Sequence, residues 1–71
     1  MPLNDVSYDL LSISQSKLDA IAIAEQYIED AKEAGNGQLE QRFEQIRQQD
    51  EQAAEKLTNA LEQLVKNGQF R

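Results

Sequence analysis

Asp50 interrupts an otherwise apolar series, Leu39, Phe43, Ile46, Asp50, Ala53, Leu57, Ala60 and Leu64. Its alternating steps of four and three residues keep every member on one side of an α-helix. A carboxylate on such a seam costs folding energy unless something pairs with it, so it fixes register, binds a partner or reaches water at an interface. Lys17 and Glu25 intrude in the same way on the apolar face of the preceding segment. Inward carboxylates from facing helices can hold paired metal ions, usually with Glu-x-x-His motifs that add imidazole ligands. Here Ala53 stands three residues after Asp50 and the chain has no histidine. The metal alternative is therefore an all-carboxylate site for a hard cation on Glu25 and Asp50, with Glu29 as a further donor. The structural reading is an ion network in which Lys17 of one chain approaches Glu25 of another, specifying register more than adding stability. A third reading has Lys17 and Glu25 reaching solvent from the edges of the stripe.

Other reactive types lack the partners that chemistry needs. Ser12, Ser14 and Ser16 have no histidine base, so nucleophilic catalysis has no support. Gly35-Asn36-Gly37 is a turn without a phosphate-binding fingerprint. Tyr8 and Tyr27 read as packing residues. No enzyme activity and no cofactor are expected.

A formal net charge of −6, with seven scattered basic residues, argues against wrapping a phosphate backbone. The longest apolar run, Ala20 to Ala24, is far too short for a membrane span. No charged-then-apolar leader opens the chain, and a cytoplasmic location is expected. Seventy-one residues without cysteine or histidine have little interior and neither disulfides nor the commonest zinc ligands, which leaves self-association as the source of extra stability.

The elements that must position these residues follow from the punctuation. Gly35-Asn36-Gly37 stops one helix and caps the next, and Asn67-Gly68 ends the second with the same chemistry. One domain over 1–71 is expected, with a first helix over about 5–34, a turn at 35–37 and a second helix over about 38–66. Asn4 or Asp5 begins the first helix, with Pro2 outside it and Leu3 stapled against Tyr8. The glutamine-rich stretch Gln38 to Gln52 belongs to the second helix because the apolar stripe runs through it. Ser16 followed by Asp19 resembles a capping box, and a break in the first helix there is an open alternative.

A short connection makes the helices antiparallel neighbours. With the turn centred near residue 37, Leu10 faces Leu64, Ser14 faces Ala60, Leu18 faces Leu57, Ile21 faces Ala53, Ile28 faces Ile46 and Ala31 faces Phe43. Asp50 falls opposite Ala24, one step from Glu25. The fold class is all-α, an antiparallel two-helix hairpin. The apolar residues of the first helix cover about half its circumference, more than one partner helix can cover. Dimerisation into a four-helix bundle is the simplest closed solution. The expected interface residues are Val6, Leu10, Ile13, Lys17, Leu18, Ile21, Ala24, Glu25, Ile28 and Asp50.

Three segments, Tyr8-Asp9-Leu10-Leu11-Ser12, Tyr27 to Gly35 and Gln49 to Glu55, resemble a group of short bacterial ferritin-like helical hairpins of uncharacterised function. The resemblance runs without gaps over nearly the whole chain and implies a hairpin that pairs into a ferritin-like bundle. In such relatives a histidine stands at the position of Ser16 and a glutamate at that of Ala22, so this chain lacks two of the ligands the resemblance implies. The functional expectation is a non-catalytic structural or interaction module acting as a homodimer. The alternatives are a metal-binding protein using inward carboxylates and an adaptor whose first helix docks another helical protein.

Overall fold

A computed structural model of the chain describes residues 4–70. It is a hairpin of two antiparallel helices, α1 (Asp5–Glu33) and α2 (Gly37–Lys66). Asn4 holds an extended backbone and caps α1, its Oδ1 accepting the Ser7 N–H at 2.8 Å. Asp5 in the first turn and Lys32 in the last lie at the ends of the helix dipole that favour their charges. Leu3, expected to staple against Tyr8, and Pro2, expected before the helix, lie outside the described residues.

α1 runs unbroken through its serines. Ser14 Oγ donates to the Leu10 carbonyl at 2.7 Å, which satisfies the hydroxyl without opening the helix. Asp19, the partner that a capping box at Ser16 would need, instead accepts from Gln15 Nε2 at 3.0 Å. The break considered from the sequence is thus replaced by two bonds within the helix.

Both helices end in the same way. Gly35 takes φ +70°, and the N–H groups of Gly35 and Asn36 bond the carbonyls of Lys32 and Ala31 at 3.0 and 2.9 Å. Asn36 then turns its Oδ1 to the Leu39 N–H at 3.1 Å and caps α2, so one residue closes one helix and opens the next. Gly68 repeats the ending with φ +66°, and the Gln69 N–H bonds the Leu64 carbonyl at 2.8 Å. At the open end Asn4 Nδ2 donates to the Gln69 carbonyl at 3.0 Å.

The seam of α1 is Ser7, Leu10, Ser14, Lys17, Ile21, Ala24, Ile28 and Ala31, all buried or half-buried. Opposite it, α2 contributes half-buried Glu40, Phe43, Arg47, Asp50, Ala54, Leu57, Leu61 and Leu64. Phe43, Asp50, Leu57 and Leu64 face α1 as the stripe predicts. Leu39, Ile46 and Ala60 are exposed instead, and Glu40, Arg47 and Leu61 take the inner side. The helix is turned by about half of one residue's angular step from the orientation the stripe suggests. Three expected pairings lapse with it, because Leu18, Ile46 and Ala60 are all exposed. Phe43 packs on Tyr27, ring centroids 5.7 Å apart and tilted by 50°, rather than on Ala31 alone. Among the described residues the buried apolar core is only Ala24, Ile28 and Ala31.

Candidate functional site

Lys17 and Asp50 meet in the middle of the seam. Lys17 Nζ lies 3.4 Å from Asp50 Oδ1, and the side chains are 34% and 17% exposed. A lysine stem is long enough to lie along the seam and place its ammonium on a carboxylate about a turn away. The pair is therefore internal to one chain, whereas the sequence suggested Lys17 for a Glu25 across an interface. Asp50 does line a groove with Ala24, in keeping with the pairing rule. Glu25 is exposed and has no ion-pair partner among the described residues. Among the described residues no group of three or more acidic side chains is arranged to hold a metal ion.

The larger feature lies beside the seam. Ala20, Ile23 and Tyr27 of α1 and Phe43 and Ile46 of α2 line one open groove on one face of the hairpin. Both helices extend that face by steps of seven residues, which return to the same side of a helix after two turns. On α1 the row is Val6, Ile13, Ala20 and Tyr27; on α2 it is Leu39, Ile46, Ala53 and Ala60. Val6, Ile13 and Tyr27 are 65%, 48% and 49% exposed, and Ile46 is 50% exposed. An unbroken double row of this length is the kind of apolar surface that marks an interaction site.

The opposite face differs. There α1 carries Leu11, Leu18, Glu25 and Lys32, also seven residues apart. Ion pairs, exposed Glu29 with Lys32 at 3.8 Å and half-buried Arg47 with Glu51 at 3.6 Å, stand in the half of the hairpin nearer the turn.

Of the interface residues expected from sequence, Leu10, Lys17, Ile21, Ala24, Ile28 and Asp50 are wholly or partly covered within the hairpin. Val6 and Ile13 lie on the uncovered apolar face, and Leu18 and Glu25 lie across the seam from them. Ile23, Tyr27, Leu39 and Ile46 belong to the uncovered face without having been assigned to an interface. The seven-residue spacing that joins Tyr27 to Val6 and Ile13, and Leu39 to Ile46, was the signal that could have found all but Ile23. No protein-family model, curated protein or solved structure matches this chain. Among the described residues no helix is long and apolar enough to cross a membrane.

Proposed function

We propose that the chain is a non-catalytic interaction module that works as a homodimer, two hairpins packing into a four-helix bundle of the ferritin-like kind. One observation carries this reading: in the double apolar row Val6-Ile13-Ala20-Tyr27 and Leu39-Ile46-Ala53-Ala60, every member but the half-buried Ala20 and Ala53 is left exposed by the contact between α1 and α2. A second copy presents the same surface, and a two-fold axis lets each row cover another. The need for such cover is physical, since only three apolar residues among those described are buried in the hairpin and chains of this size are marginal alone.

Light scattering on the purified protein at micromolar concentration tests the reading. The expected mass is twice that of the 8.1 kDa chain. Ile46→Glu, on the exposed row, should shift the species to monomer by desolvating two new charges at the contact. A fully helical monomer in the parent would overturn the homodimer and favour an adaptor that keeps the face free for a foreign helix.

A further inference from the structure

We propose that in this dimer α1 of each copy lies over α2 of the other, so that both turns sit at the same end of the bundle. This inference rests on the homodimer reading and adds its geometry. Packing one face on itself about a two-fold axis allows two arrangements. An axis parallel to the helices places α1 on the partner's α2; an axis across them places α1 on α1 and sends the turns to opposite ends. In the first, the heights set by the Tyr27–Phe43 and Asn4–Gln69 contacts bring Ile13 over the partner's Ala60, Ala20 over the partner's Ala53 and Tyr27 over the partner's Ile46.

Charge decides between them. The outer rim of the face on α1 is Asp9, Ser16, Ile23 and Asp30; on α2 it is Arg42, Gln49, Lys56 and Gln63. Asp9 and Ser16 share a shallow groove with Ile13, and Ile23 shares one with Tyr27, which places this rim beside the apolar row. The charged members of one rim are all acidic and those of the other all basic. With α1 on the partner's α2 the rims are complementary, and Asp30 stands within a turn of the partner's Arg42. With α1 on α1, Asp9 comes within a turn of the partner's Asp30, and the basic rim meets its own copy. Asp30 Oδ1 accepts from Gln26 Nε2 at 2.9 Å, which orients the carboxylate and leaves its second oxygen for an arginine. Complementary rims select one docking orientation more than they add affinity.

The chain has no cysteine, so a single introduced one gives a unique label. Gln38→Cys and, separately, Glu33→Cys place a nitroxide on an exposed position near the turn, and pulsed electron paramagnetic resonance reads the distance between copies. Helices spaced 8–10 Å apart predict label separations of roughly 20–30 Å for turns at one end. Opposite ends predict a separation near the 50 Å length of the hairpin. Asp30→Arg should weaken dimerisation roughly 5-fold through two equivalent surface pairs, and adding Arg42→Asp should restore it. A dimer with distant labels, or one weakened further by the double exchange, overturns this arrangement while leaving the homodimer intact. A monomeric parent overturns the homodimer itself.

Discussion

Asn4 and Gln69, 65 residues apart, close the open end of the hairpin through one hydrogen bond from the Asn4 side-chain amide to the Gln69 carbonyl at 3.0 Å. The same amide caps α1 through its oxygen, on the Ser7 N–H. The amide does both because its oxygen accepts while its nitrogen donates. Asn4→Asp keeps a capping oxygen and loses the donor; Asn4→Ala loses both. Thermal or urea melts should show a loss of about 0.5–1 kcal/mol for aspartate and about 1–2 kcal/mol for alanine. Equal losses would mean that the Gln69 contact adds nothing.

Lys17 and Asp50 set up a second comparison. Lys17→Met leaves the largely covered Asp50 carboxylate without its cation and should destabilise by about 1–3 kcal/mol. Replacing both, Lys17→Met with Asp50→Leu, should recover that loss and reach or exceed parental stability. The coupling in the full cycle should shrink as salt rises from 0.05 to about 1 M, since Lys17 is partly open to solvent. A double variant less stable than the parent would show that the pair outweighs its own burial.

The glycines around the turn should respond with opposite signs. Gly35 sits at φ +70°, so Gly35→Ala strains the backbone although nothing crowds its Cβ, and should cost about 1 kcal/mol. Gly37 is inside α2 without positive φ, with open space around a Cβ. Gly37→Ala should therefore stabilise by about 0.4–1 kcal/mol, mainly by restricting the unfolded chain. Denaturant midpoints of the two variants read this directly.

Metal removal should be silent. Asp50 is engaged by Lys17, Glu25 stands exposed, and a cation bound only by the folded state would raise the melting temperature by mass action. Dialysis against a chelator should leave the melting temperature unchanged. A drop restored by one added divalent ion would return Glu25 and Asp50 to the ligand role.

The two helices, their caps and the turn were legible because each rests on local chemistry: Asn4 and Asn36 offer a capping oxygen, and Gly35 accepts positive φ. The side of α2 that meets α1 was not. Positions 39, 46, 53 and 60 and positions 40, 47, 54 and 61 flank the Phe43–Asp50–Leu57–Leu64 line on its two sides, and hydrophobicity favours the first set. In the structure the second set is half-buried, with Ala53 alone from the first. The apolar series thus marked a face that is partly turned inward and partly exposed. Lys17 was misassigned for a related reason: its reach along the seam is a property of the stem, which spacing does not reveal.

At 11 Å the hairpin is as thick as a single helix. A slab that thin has little inside: among the described residues only Ser7, Ala24, Ile28 and Ala31 are buried by their own chain. In the proposed dimer, folding and association would become one reaction, second order in chain concentration. Dilution alone should lower the melting temperature, and the number of copies in a cell would set how long each survives proteases that attack the open form.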